Sequence, residues 1–476
     1  MKLKMVRLCE MLLVFCVLVG VFSVSASATS DYTFDETTGE MVVYTEAGMR
    51  AWSEEVNSVD PVNYLDIKSL TIKDTITEIK GNVFQGLVNL EELVFEGDIK
   101  IESETITEAG GTTTYYPFFE SLNLETITFG GKADIGTSIF DYTSSGENIA
   151  LKELVFPAGS TFGASAFSSC IALESITFEG DAVITAGGCF SNLPELKTLV
   201  FEGESNITNG AFGGTTKLES ITFGGKTNIG PGVLYYPSSP NTALKELVFP
   251  EGSTLGSVVF SYCNALESVT FEGDVSLTGG ALANLPELKT LVFKGESILS
   301  SDVLTGTTKL ETITFGGKTE IGPNIFAYST SVPNTALKEL VLPEGSTVGA
   351  GGFGYCTALE SVTFEGDIQL TSGGCFRGLS SLKSIEFKGE SVLSSGAFMG
   401  SIALESIIFG GKTDVRAGIF YYSDAQPNTG IKESASAATT PVINPQITCR
   451  GVCPISSLKR VSKVFSSELK SSSIII

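Results

Sequence analysis

From Ile67 onward the apolar residues recur in units of 22 or 23 residues, clearest as LESITFEGDAVITAGGCFSNLPE from Leu173 and LKTLVFEGESNITNGAFGGTTK from Leu196. The opening LxxLxF ends in a period of two, which predicts a short strand. Its residues Ile176 and Phe178 turn inward, and Ser175, Thr177 and Glu179 turn outward. Gly180, two residues past the phenylalanine, predicts the turn that ends the strand. Ile184 and Phe190 then close the coil from its other side. One such coil cannot bury these side chains alone, so the pattern predicts a repeat solenoid whose core forms by stacking.

Coils begin at Ile67, Leu90, Leu124, Leu151, Leu173, Leu196, Leu218, Leu244, Leu266, Leu288, Leu310, Leu337, Leu359, Leu382 and Leu404, with a fragment at Ile431. A longer period lies above them. LKELVFP begins at Leu151 and Leu244 and LKELVLP at Leu337, each 93 residues apart, so four coils form one super-repeat. The inward phenylalanines from Phe156 to Phe315 predict a stacked aromatic spine. The second position of the coil alternates in sign (Lys152, Glu174, Lys197, Glu219, then Lys245 and Glu267), so in-register parallel strands set opposite charges side by side. A slip of one coil puts like charges together, and the row reads as register control.

The ends differ from the body. Lys2, Lys4 and Arg7 precede an apolar run from Met11 to Val24 and the small residues Ser25 to Ala28, so residues 1–28 read as a secretory signal. Residues 29–66 are expected to cap the first coil. Met49, Trp52 and Val56 share one helical face there, with Thr45 as N-cap. Repeats are expected over 67–433, and a low-complexity tail over 434–476.

Composition narrows the chemistry. The chain carries −24, but the signal holds three cations and one anion and the tail five cations and one anion, so the body from Thr29 to Glu433 carries −30. So acidic a body excludes nucleic acid and anionic lipid as partners, and no membrane insertion of the mature body is expected. Histidine is absent, which removes the commonest general base and metal ligand. No enzyme, cofactor or metal site is expected. The carboxylates Asp181, Asp274 and Asp367 occupy repeating surface positions, poor places for a unique active site. Cys170, Cys263 and Cys356 recur every 93 residues. Four coils, about 19 Å, separate them, beyond disulfide reach, so they read as small buried apolar residues.

Two features are candidates for contact. The middle outward residue of the strand alternates Val155, Thr177, Val200, Thr222, Val248, Thr270, Val292, Thr314, Val341, Thr363. Such a stripe offers apolar and hydroxyl contact, although β-branched residues also suit any exposed sheet. The longest coil of each super-repeat adds a loop bearing Tyr142, Tyr235, Tyr328 and Tyr421, doubled by Tyr236 and Tyr422. Tyrosine presents large contact area at little entropic cost, and the same rings also fit a lid over the widened coil.

The coil resembles the BspA-type leucine-rich repeats of bacterial and protist surface antigens, on Leu196, Leu199, Phe201, Gly203, Ala211 and Phe212 and their counterparts over residues 67–431. The asparagine that follows the strand in commoner leucine-rich repeats does not recur, so no buried asparagine ladder is expected. The resemblance implies a leucine-rich-repeat stack with one long parallel β-sheet, a mostly irregular convex side and a small α-helical N-terminal cap. It further implies a secreted or surface-displayed protein that engages a protein or repetitive extracellular ligand, glycan included, in adhesion. The alternatives are a structural cell-envelope repeat protein and a carbohydrate-binding protein.

Overall fold

The alternation at the end of each LxxLxF segment produces a four-residue strand whose second and fourth residues turn inward, and a computed structural model of the chain shows this strand in all fifteen coils. The structure describes residues 31–56, 66–108, 111–140, 147–234, 238, 240–326, 333–370, 372–415, 419 and 433–436. Neighbouring strands pair parallel and in register, with Ile176 beside Leu199 and Phe178 beside Phe201. Gly180, at φ +76, leads out of the strand, and a Cβ on the corresponding Gly203 would lie 2.4 Å from the Gly180 carbonyl carbon. At this junction the coils touch backbone to backbone, and only glycine fits at position 203.

The solenoid is as expected, but its sheets are not one. A second strand follows the turn in every coil, such as Ala182–Ile184 and Ser205–Ile207. These strands stack into a back face of four strands, Glu78–Lys80 to Thr161–Phe162, followed by eleven, Ala182–Ile184 to Thr413–Val415. The side expected to be irregular is thus a sheet. Its strands span only two to four residues, too short for periodicity to declare them.

The front face is in turn divided into sheets of five, four, four and five strands, with seams before the coils of Leu151, Leu244 and Leu337. Proline accounts for the seams. At ordinary junctions the residue after the strand donates its N–H to the strand-ending carbonyl of the previous coil, as Glu179 does to Phe156 (2.8 Å) and Glu272 to Phe249 (2.9 Å). At each seam that residue is Pro157, Pro250 or Pro343, which has no N–H to give.

Side chains bridge the seams at other backbone groups. Asn241 is buried; its Nδ2 donates to the carbonyls of Thr215 (2.9 Å) and Leu218 (3.0 Å), and its Oδ1 accepts from Ala243 and Leu244 N–H. Asn148 and Asn334 repeat this bridge, to Leu124 and to Leu310. Ser253 Oγ donates to the Pro250 carbonyl (2.7 Å) and accepts from Thr227 N–H (3.2 Å). Buried asparagines therefore do recur, one per super-repeat. The back sheets cross every seam, pairing Asp134 with Thr161, Asn228 with Thr254 and Glu320 with Thr347.

Two aromatic columns fill the interior. One runs from Phe95 through Phe129, Phe156, Phe178 and Phe201 to Phe315, with adjacent ring centroids 4.9–5.7 Å apart. Leu342 interrupts it before Phe364, Phe387 and Phe409. The second runs from Phe84 through Phe118, Phe140, Phe167 and Phe190 to Phe212.

The first coil is covered by more than a helix. The antiparallel strands Tyr32–Asp35 and Glu40–Val43 precede the helix Glu46–Val56, and Glu40–Val43 pairs parallel with Ser69–Ile72 as a coil strand would. Thr45 Oγ1 accepts the Gly48 N–H (3.0 Å), an N-cap bond. Met49 and Trp52 are buried, and Tyr32 meets the Trp52 ring edge-on at 6.2 Å. At the other end, the strand Glu433–Ser436 pairs with Ser406–Phe409.

Cys170, Cys189, Cys263, Cys356 and Cys375 are all buried and unbridged. Burial pushes the thiols of Cys189 and Cys375 up to about 11 and that of Cys263 up to about 12, and raises Cys356 as well. Since the thiolate is the reactive form, these five residues should resist alkylation at neutral pH until the chain unfolds. Mass mapping of labelled peptides with and without denaturant checks this; rapid native labelling of Cys263 would contradict the packing.

Candidate interaction face

The front strands present three outward rows. In the middle row Val155, Thr177, Val200 and Thr222 lie side by side, as do Val248, Thr270, Val292 and Thr314 in the next block. The seams cut the expected continuous stripe into groups of four. Val248 and Val341 open their blocks and are 40% and 47% exposed. Thr222 and Thr314 close theirs and are exposed, while Val155, Thr177, Val200, Thr270, Val292 and Thr363 are half-buried. Val248, Val341, Thr222 and Thr314 thus stand beside seams, where one neighbouring strand is not hydrogen-bonded, although Val155 at the first seam is half-buried.

The row also starts earlier than the sequence reading placed it. Val42, Thr71, Val94 and Thr128 form an N-terminal group with the same alternation. Thr71, Val94 and Thr128 occupy the standard coil position, so the spacing already contained them; Val42 lies on the capping hairpin and follows no coil pattern. After Thr363 the row changes to Glu386 and Ile408. Tyr142, Tyr235, Tyr236, Tyr328, Tyr421 and Tyr422 lie outside the described residues, as do residues 1–28.

Charge flanks the middle row. Lys197 Nζ lies 2.6 Å from Glu174, Lys289 2.7 Å from Glu267 and Lys383 2.5 Å from Glu360. Contact pairs therefore form between the second and third coils of each super-repeat. Lys152 stands 3.9 Å from Glu174, and Glu219 acts on Lys197 only through longer-range attraction.

Asp181, Asp274 and Asp367 each accept a backbone N–H of the next coil, from Glu204 (2.9 Å), Glu296 (2.7 Å) and Glu390 (2.6 Å). Their repetition is a stacking device. A shallow cleft on the back face is lined by Lys80, Glu102, Asp134, Thr137 and Thr161. Its carboxylates are already engaged, Glu102 with Lys100 (2.7 Å) and Asp134 with Thr161 (2.5 Å). Among the described residues no three His, Cys, Asp or Glu side chains converge as a metal site, and no helix is long and apolar enough to cross a membrane.

The family model described as "BspA type Leucine rich repeat region (6 copies)" matches residues 62–155, 111–240, 239–333 and 333–426. The chain belongs to the BspA-type leucine-rich repeat family. No curated protein matches it. Among solved structures, this BspA-type chain is similar to a leucine-rich repeat protein from Bacteroides ovatus, at 19% identity over 72% of this chain and 79% of that one, TM-score 0.36. It is similar to the pneumococcal vaccine antigen PcpA, at 17% identity over 73% and 79%, TM-score 0.25. A leucine rich cell surface protein from Faecalibacterium prausnitzii matches at 14% identity over 88% and 96%, TM-score 0.28.

The Lys–Glu row yields a pH and salt signature. Hydrogen bonds from Lys197, Lys289 and Lys383 lower the carboxyl pKa of Glu174, Glu267 and Glu360 on folding. Their contribution is complete above the ordinary glutamate range and is lost as pH falls through the lowered values. At neutral pH, Glu267→Lys, which sets a third ammonium between Lys245 and Lys289, should unfold at a lower midpoint than Glu267→Gln. The gap should close in about 1 M salt, where screening is short-ranged. Equal midpoints at low salt would remove the row from any account of register.

Proposed function

We propose that this BspA-type chain is exported and surface-displayed, and that it acts as a non-enzymatic interaction protein engaging host protein, matrix or other cells through its front face. The observation that carries this reading is the stripe of Val and Thr side chains. In a body of net charge −30, that stripe stays free of charge over two full blocks, from Val155 to Thr314, and offers Val248 and Val341 to solvent. Flat apolar and hydroxyl contact flanked by fixed charge suits a protein surface: the stripe supplies the area to be desolvated, and the flanking rows set which partners are tolerated. The basic and apolar segment at residues 1–28 supports export. The absence of histidine and the structural engagement of the repeated aspartates support a role without catalysis.

The tyrosine loops extend the proposal. Their 93-residue spacing sets Tyr142, Tyr235, Tyr328 and Tyr421 at steps of four coils, about 19 Å. Equivalent weak contacts on a ruler suit a repetitive ligand, bound multivalently.

Solid-phase binding of residues 29–433 to matrix proteins and to a glycan panel tests both parts. Val248→Glu with Val341→Glu should weaken protein binding by at least about tenfold, some 1.4 kcal/mol, at an unchanged unfolding midpoint. Alanine at the four tyrosines should reduce avidity further. Undiminished binding by the double glutamate variant would overturn the front-face reading. Binding to glycans alone would favour a carbohydrate-binding protein, and binding to nothing would favour a structural envelope component.

A further inference from the structure

The coil from Leu90 carries an insertion without counterpart among the described residues of the other coils. Strands Glu104–Glu108 and Gly111–Tyr115 pair antiparallel, Glu104 opposite Tyr115 and Glu108 opposite Gly111, and they join no other sheet. Thr105 bonds Thr114 (3.0 Å) and Thr107 bonds Thr112 (3.3 Å) across the ribbon. Residues Thr105 to Glu108 and Gly111 to Thr114 are exposed on both faces, Ile106 at 42%, so the hairpin stands clear of the solenoid with no core of its own. A two-stranded ribbon is marginal in water, and further strands stabilise it.

Its two edges differ. The outgoing strand carries Glu104 and Glu108, the kind of charge that guards an edge against pairing. The return strand, GTTTY, has no charge and no proline and holds three successive β-branched residues. In an antiparallel pair every second residue turns its N–H and C=O away from its partner, so this edge offers unguarded backbone groups. Within a body of −30, pairing two outgoing strands would gather four glutamates, whereas pairing two return strands gathers none.

We infer that Gly111–Tyr115 is a dimerisation edge, pairing antiparallel with the same strand of a second copy of this chain. Thr113 then faces Thr113 of the second copy across a two-fold axis, Thr112 faces Thr114, and Gly111 faces Tyr115. The result is a four-stranded antiparallel sheet shared by two copies, closed by symmetry and stopping at two. The acidic bodies lie to either side of an uncharged junction. The edge is self-complementary in this register, which favours a second copy over an unrelated extended peptide.

Sedimentation velocity on the full chain from about 1 to about 100 µM should show concentration-dependent dimers, and Thr113→Lys should weaken them at least about tenfold. Its unfolding midpoint should not change, because Thr113 is exposed. Thr113→Val and, on the guarded edge, Glu108→Gln should dimerise as the parent does. Thr113→Cys should form an intermolecular disulfide mapped to position 113 under mild oxidation, since opposed residues lie within disulfide reach; Thr105→Cys should not. A monomer at every concentration, a dimer indifferent to Thr113→Lys, or a monomer that captures an uncharged strand-forming peptide would each overturn the proposal.

Discussion

Everything in this molecule depends on one contact, the stacking of each coil on the next. A unit of about 22 residues with two short strands cannot enclose its own leucines and phenylalanines, so the inward side chains are covered by the coils above and below. The ring columns show how the contact is made: Phe178 lies 4.9 Å from Phe201 and Phe190 5.4 Å from Phe212, each pair near parallel. Such pairs contribute about 0.5–1.5 kcal/mol each beyond their buried area, and the columns repeat that gain at nearly every junction. The N-terminal segment follows from the same need. Its hairpin imitates a coil strand and its helix lays Met49 and Trp52 over an interior that would otherwise be open.

Stacking also explains why the period is four coils and not one. Pro157, Pro250 and Pro343 each remove a ladder donor, and Asn and Ser side chains bridge the gap they leave, as Asn241 and Ser253 do. Proline, asparagine and serine travel together through the 93-residue duplication: where proline has removed the ladder donor, losing the asparagine or the serine would leave buried backbone groups without partners. The back sheets pass each seam unbroken, so the front face is segmented without dividing the core. Segmentation also marks the surface: Val248, Val341, Thr222 and Thr314, each an exposed member of the middle row, stand at seams.

Much of this was legible in the sequence. The LxxLxF spacing placed fifteen strands, the inward phenylalanines foretold the first aromatic column, and the 93-residue recurrence of Cys170, Cys263 and Cys356 predicted buried thiols. The back strands were not legible, because three residues such as Ala182–Ile184 carry too little pattern. The seams were present in LKELVFP, but only the ladder geometry reveals that Pro250 stands where an N–H is needed. The asparagine bridges escaped because they recur once in four coils instead of once per coil. The insertion at Glu104–Tyr115 escaped because it breaks the repeat. As for the candidate face, alternation gave its Val and Thr members but not their division into groups. The tyrosine loops rest on spacing alone.

A solenoid held only by its neighbours can change its surface without disturbing its interior, since outward residues of the front strands make no contribution to the columns. That freedom lets a repeated scaffold carry an uncharged stripe, a charged row beside it and a projecting hairpin within one stack. Peptide-resolved hydrogen exchange tests the underlying claim most directly. At the seam before Leu244, amides of Glu246–Phe249 should exchange faster than those of the neighbouring front strands Ser268–Phe271 and Thr290–Phe293, while the back strands Thr227–Ile229 and Thr254–Leu255 stay protected together. Equal protection of all front strands, or loss of protection in the back strands at the seam, would contradict this account of how the coils are joined.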